Sequence, residues 1–186
     1  MTQQNPAFAS PSWLEREQLI DAPSPCVLEW LLNQDSLTRR LTGLAAGAFD
    51  VTPLFQGWQS LRNDECAALG LSPGSEGWVR EVYLRGRGAN WVFARSVAAR
   101  SALQTGGLNM DELGTRSLGE LLFSDPAFER GPLQVCRYPA HWLPEPDAVE
   151  GLWARRSCFS RGPLSLVVAE VFLPALWNTI QTEDAR

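Results

Sequence analysis

Ser165-Leu-Val-Val-Ala-Glu-Val-Phe-Leu-Pro174 is a strand-length run that is apolar on both faces and carries a single carboxylate, Glu170. With a two-residue period, Glu170 shares one face with Leu166, Val168 and Phe172, while Val167, Ala169, Val171 and Leu173 take the other. Neither face reads as wet. A carboxylate in such a place costs several kcal/mol unless a cation or hydrogen bonds compensate it. The partners of Glu170 are therefore the first thing to find.

Two further strand-like runs carry the opposite charge. In Trp78-Val-Arg-Glu-Val-Tyr-Leu84, Arg80 alternates with Trp78, Val82 and Leu84, and Glu81 and Arg85 point the other way. In Trp91-Val-Phe-Ala-Arg-Ser-Val97, Arg95 alternates with Trp91, Phe93 and Val97. The Gly86-Arg-Gly-Ala-Asn90 turn joins the runs into an antiparallel hairpin. The expectation is two guanidiniums aimed at one apolar interior, an anion pocket. Buried Arg–Glu pairs also occur as purely structural ion pairs. Three inward charges on separate apolar faces favour function, because each desolvated ion is costly and an ion pair that merely replaces hydrophobes is often no gain.

The chain has 186 residues, 45% hydrophobic, with eight Trp and eight Phe, which suits one globular domain over 1–186. Its 16 cationic side chains are all Arg, and the net charge is −5. Without a basic block it is a poor nucleic-acid or acidic-membrane binder, so an anionic ligand must be held by local placement of Arg. Cys26, Cys66, Cys136 and Cys158 are too scattered for a metal or redox motif and read as free thiols. His141 is the only histidine, so neither a metal cluster nor a histidine-dependent triad builds around it. No apolar run reaches the roughly 20 residues that span a bilayer, and the polar start lacks a secretory pattern. A cytoplasmic protein without metal is the expectation.

Along the chain, residues 1–20 read as an N-terminal arm. Ser24-Pro25 caps a helix carrying Val27, Leu28, Leu31 and Leu32, and Asp35-Ser36 caps a second one carrying Leu37, Leu41 and Leu44. Phe49 to Gln59 reads as a strand interrupted at Pro53, and Leu61 to Leu69 as a short helix. Ser117-Leu-Gly-Glu120 fits a capping box that sets Leu118 in a first helical turn, where free N–H groups are able to meet an anion. Capping boxes usually do no more than start a helix. The five prolines between Ser124 and Gly151 argue for loops and edge strands. Leu152-Trp-Ala-Arg-Arg-Ser-Cys-Phe159 resumes strand character, with only one of Arg155 and Arg156 able to look inward. Residues 178–186 read as a C-terminal tail. The sum is α+β, an antiparallel β-sheet with flanking helices.

Four motifs, Trp-Val-Arg-Glu at 78–81, Arg-Ser-Leu-Gly-Glu-Leu-Leu-Phe at 116–123, Trp-Ala-Arg-Arg-Ser at 153–157 and Ala-Glu-Val-Phe-Leu-Pro at 169–174, together resemble the chorismate pyruvate-lyase family. Asp-Ser-Leu-Thr-Arg-Arg at 35–40 is similar to that family's early helical segment. The resemblance implies a cofactor-independent lyase that converts chorismate to 4-hydroxybenzoate and pyruvate, the first committed step toward ubiquinone. It implies an internal ligand cavity covered by helical flaps. Carried over by motif, Arg80 and the backbone N–H of Leu118 would hold the ring carboxylate, and Glu170, as catalytic residue, and the backbone of Leu37 would meet the ring hydroxyl. Arg95 and one of Arg155 or Arg156 are the weaker candidates for the enolpyruvyl carboxylate. The chain departs from the family pattern in the long, proline-rich stretch between Phe123 and Trp153 and in Leu37, where the pattern has methionine.

A monomer is the expected form. The rival reading is a ligand-sensing domain of the same fold, as in the effector domains of winged-helix regulators, which would bind chorismate or 4-hydroxybenzoate without turnover. Against it, about 24 residues precede the first helix, too few for a DNA-binding domain.

Overall fold

The computed structural model describes residues 10–100, 103 and 114–185. Two short helices open it, α1 (Pro25–Leu32) and α2 (Leu37–Ala45), capped by the Ser24 and Ser36 side chains. Proline at the first position of α1 loses nothing, because that N–H has no helical partner. After α2 the chain turns at Ala46 and Gly47, both at positive φ, into β1 (Phe49–Ser60). Then come α3 (Asn63–Ala68), β2 (Glu76–Gly86), β3 (Ala89–Ala99), α4 (Leu118–Ser124), β4 (Glu129–Arg130), β5 (Gln134–Tyr138), β6 (Leu152–Arg161), β7 (Leu164–Phe172) and α5 (Pro174–Asp184). Residues 178–184, expected as a tail, are the second half of α5, with Ile180 buried against the sheet core. Within the expected arm, Leu14 bridges to Val135 of β5.

The strands form one antiparallel sheet in the order β1-β2-β3-β7-β6-β4, and β5 also pairs with β6. The fold is α+β, as the hydrophobic pattern predicts. β7, the strand of Glu170, lies between β3 and β6, and both its faces are covered: Leu166, Val168 and Phe172 pack on one side of the sheet and Val167 and Val171 on the other. Pro53 is tolerated because β1 is an edge strand with an irregular register at Pro53/Phe55. One face of the sheet packs under α1, α2 and α5 through Leu31, Leu41, Val82, Leu84, Phe172 and Leu176. On the other face, Val79, Val97 and Val167 meet Leu61 and Cys66 at α3.

The register of the β2–β3 hairpin corrects one expectation. Arg80 pairs with Ser96, and Arg95 pairs with Glu81, so the two guanidiniums point to opposite faces. Counting alternate residues along each strand cannot reveal this, because a one-residue shift in register exchanges the faces. The turn residues Arg87 and Gly88 both have positive φ, the geometry of a two-residue primed turn. The pairing then shifts between Leu84 and Arg85, leaving Trp91 as an extra residue between Asn90 and Val92. That residue turns its ring into the helix-side core at 0% exposure.

The ring has room because residue 86 is glycine: a Cβ there would lie 2.1 Å from Trp91 Cζ3. Gly86→Ala is expected to cost at least about 1–3 kcal/mol, the usual range for overpacking. Urea titration checks this as a lower midpoint at unchanged m-value.

Candidate active site

Arg80 rises from β2 into the interface between the sheet and the helices, 2% exposed. Its Nη1 donates to Gln56 Oε1 on the neighbouring strand at 3.0 Å, and its Nη2 donates to the carbonyls of Gly114 and Arg116, each at 2.8 Å. None of these acceptors is charged. Among the described residues no carboxylate pairs with it, and burial holds its pKa below the ordinary arginine value. A desolvated cation with only neutral partners is an expensive group to keep, and an anion would remove much of that cost.

The carbonyls that meet Arg80 belong to the segment entering α4. Ser117 caps that helix, accepting from Glu120 N, and its Oγ lies 2.6 Å from Thr38 Oγ1 in the first turn of α2. The N-terminal ends of α2 and α4 are thereby joined over the sheet, with Leu37 and Leu118 both buried at their first positions.

Glu170 has its partner directly across the strand pair. Arg155 on β6 opposes it, and Arg155 Nε donates to Glu170 Oε2 at 2.7 Å. Arg155 is 1% exposed, and its Nη1 donates to Asn33 O at 2.9 Å and Trp30 O at 3.3 Å. Those are carbonyls from the end of α1, which lack helical donors. Glu170 keeps Oε1 without a hydrogen-bond partner among the described residues.

Beyond the pair lies Arg130 on β4, a residue that the strand patterns do not single out. Its Nε donates to Ser157 Oγ at 2.9 Å and its Nη1 to Gln34 O at 3.0 Å. Burial, then the neighbouring charge of Arg155, push its pKa down to about 10, with Glu170 pulling the other way. It was illegible because Glu129 and Arg130 form a two-residue strand inside a proline-rich stretch, with no periodicity to count. Gln56 was missed for a similar reason, since its strand seemed broken at Pro53.

Arg155, Glu170, Arg80, Leu37 and Leu118 thus gather on the helix side, and Arg155 is the inward member of the Arg155/Arg156 pair. Arg95 and Arg156 lie on the opposite side of the sheet. Arg95 is 4% exposed; it grips Glu65 with two bonds of 2.6 and 3.0 Å and Glu81 with a third of 2.7 Å. Burial would lower its pKa, but the two carboxylates outweigh it and raise it. Arg156 donates to Gln134 Oε1 and Asp64, with its guanidinium over the Trp13 ring. These two arginines tie α3 and the arm to the sheet. Among the described residues, no group of three or more His, Cys, Asp or Glu side chains is placed to hold a metal.

The chorismate lyase family model matches residues 8–182. A protein of Pseudomonas syringae pv. tomato, named "Probable chorismate pyruvate-lyase", is 73% identical over 184 residues, 99% of each chain. Proteins of the same name from Pseudomonas aeruginosa and Pseudomonas putida are 65% and 59% identical, the matches covering 92% and 99% of this chain and 96% and 100% of their own. Among solved structures, the effector domain of PhnF from Mycobacterium smegmatis has a TM-score of 0.53 at 14% identity, over 77% of this chain and 91% of that one. That likeness is one of fold alone.

The far-face assignment of Arg95 has a measurable consequence. Arg95→Leu strands Glu65 and Glu81 without their cation and is expected to cost about 3–5 kcal/mol of stability. Denaturant unfolding of the variant and its parent checks this, and a loss below about 1 kcal/mol would contradict the clamp.

Proposed function

The chain belongs to the chorismate lyase family, and from that premise we propose that it converts chorismate to 4-hydroxybenzoate and pyruvate, the first committed step toward ubiquinone, as a cytoplasmic, cofactor-independent enzyme. The observation that carries this reading is Arg80, buried at 2% exposure with three hydrogen bonds and, among the described residues, no carboxylate partner. Chorismate brings a ring carboxylate whose planar edge matches the guanidinium fork. On binding, it replaces the Gly114 and Arg116 carbonyls at Arg80, exchanging neutral acceptors for a charged one. The 114–118 segment must move for this exchange, so α4 and α2, joined through Thr38 and Ser117, act as the flaps of an internal site. The backbone N–H of Leu118 completes the carboxylate subsite.

At the other end of the ring, Glu170 Oε1 accepts a hydrogen bond from the C4 hydroxyl, and the backbone of Leu37 holds the same group. Leu37 acts through its backbone, so the change from methionine alters packing and leaves the contact intact. In the reaction the C3–O bond breaks and the C4 hydrogen leaves as a proton. The C4–H electron pair completes the aromatic ring, and the C–O pair departs with enolpyruvate. Protonation at the methylene carbon of enolpyruvate gives pyruvate. Aromatisation supplies the driving force, so the protein works mainly by orienting the ether and balancing charge on the departing group.

The shared fold with an effector domain leaves a specific alternative, binding without turnover. Purified protein mixed with chorismate in chelator-containing buffer is expected to release 4-hydroxybenzoate and pyruvate in equal amounts. Stable chorismate binding without products would establish the sensor instead. Loss of turnover in chelator, restored by one divalent metal, would overturn the cofactor-independent mechanism.

Glu170→Gln is expected to reduce kcat/KM by about 10²–10⁴-fold, the range for acid–base participation. It also takes the charged partner from Arg155, so stability should fall by about 3 kcal/mol, toward the lower end for a broken buried pair. Steady-state kinetics below the melting transition separate the two effects, and full kcat/KM in a folded variant removes Glu170 from the chemistry.

A further inference from the structure

We infer that Arg130 is the second carboxylate anchor of this site, holding the enolpyruvyl carboxylate while Arg80 holds the ring carboxylate. This rests on the chorismate reading above and extends it to a residue that no motif marks. Chorismate is a dianion, so a site built for it needs two cations separated by the ring. Three guanidiniums are buried or half-buried between the sheet and the helices: Arg80, Arg155 and Arg130. Arg155 is already matched by Glu170 at 2.7 Å. Arg80 and Arg130 have no carboxylate partner among the described residues.

Their placement fits a bridging ligand. Arg80, Ser96, Val168 and Ser157 form one continuous row across β2, β3, β7 and β6, and Arg130 Nε donates to the last of them. The row spans three strand spacings, roughly 14 Å between the β2 and β6 backbones at about 4.8 Å each. Long arginine side chains at the two ends of the row are able to cover part of this distance, leaving a span nearer the size of a substituted six-membered ring. Between them the row offers only Ser96 and Val168, and the neighbouring row offers Ala94 beside Glu170, so the floor is low where the ring would lie. Arg130 keeps Nη2 without a hydrogen bond among the described residues. Burial, then the neighbouring Arg155 charge, push its pKa down to about 10, with the Glu170 charge offsetting only part of the shift.

Arg130 also lies 5.3 Å from the Phe123 ring and 5.4 Å from the Phe159 ring, a packing role that would tether β4. That role predicts lost stability and no selective effect on ligands. The two are separated by comparing a dianion with a monoanion. In Arg130→Gln, kcat/KM for chorismate is expected to fall roughly ten- to hundredfold, the loss of a hydrogen bond to a charged group. The inhibition constant of 4-hydroxybenzoate, which carries only the ring carboxylate, should stay within about twofold, and Arg130→Lys should recover part of the chorismate loss. Arg80→Lys should weaken both ligands.

Unchanged chorismate kinetics in Arg130→Gln, or an equal loss for chorismate and 4-hydroxybenzoate, would overturn the assignment. The 4-hydroxybenzoate titration reports that the variant site is intact. Wild-type protein that neither turns over chorismate nor binds 4-hydroxybenzoate would defeat the lyase reading itself, and the assignment with it.

Discussion

The cross-strand pair of Arg155 and Glu170 carries more of this structure than its single 2.7 Å bond suggests. Arg155 satisfies a half-buried carboxylate on β7 and, through Nη1, the free carbonyls at the end of α1. It therefore ties the central strands to the helix layer and positions the turn at residues 33–36, from which Ser36 caps α2. Leu37 and Thr38 follow from that cap. Thr38 meets Ser117, which caps α4, and the carbonyls just before it meet Arg80. One chain of polar contacts thus runs from the sheet through both helix N-termini and returns to the sheet. Replacing the pair with hydrophobes of similar volume could leave stability unharmed, but it would leave the α1 carbonyls unpaired and the α2 cap unplaced.

The sheet keeps two charge systems apart. On the α3 side every buried guanidinium belonging to the strands has an acidic partner: Arg95 has Glu65 and Glu81, and Arg156 has Asp64. On the other side Arg155 is matched by Glu170, whereas Arg80 and Arg130 have no carboxylate partner among the described residues. The bulge at Trp91 creates this separation, because it shifts the pairing by one residue beside the turn, so that Arg80 opposes Ser96 and Arg95 takes the other face. From Val92 to Ala99 the strand runs in step with β2, and the face of each residue is then fixed by a period of two.

Periodicity and caps made most of this fold legible. Ser24-Pro25 and Asp35-Ser36 announce their helices, and the runs around Arg80, Arg155 and Glu170 announce their strands, because each carries enough alternation to count. What counting cannot supply is register. Arg95 and Arg80 each lie on an apolar-looking face, but which faces coincide depends on the two residues of a turn and one bulge. Both sides of this sheet are covered, so an inward charge on either side looks the same in sequence. Arg130 was hidden for the opposite reason, since a two-residue strand has no period. Residues 178–184 look like a tail because their apolar content is thin, yet Ile180 alone gives the last turns of α5 a buried contact.

Overall charge adds a further constraint on the proposed ligand. At a net charge of −5 the protein repels a dianion at long range. At physiological ionic strength that repulsion is screened beyond about 8 Å, whereas interactions inside the sheet–helix interface are screened far less. An approaching substrate therefore meets little field until it reaches the interface, where in the proposed site it meets Arg80 and Arg130, neither with a carboxylate partner among the described residues. In the proposed site, selectivity for a dicarboxylate would come from their spacing. A monocarboxylate would satisfy one of them and leave the other buried and unmatched, the state the empty site already tolerates. Only a ligand reaching both relieves both, so dianion binding gains from the burial cost that the unliganded fold carries.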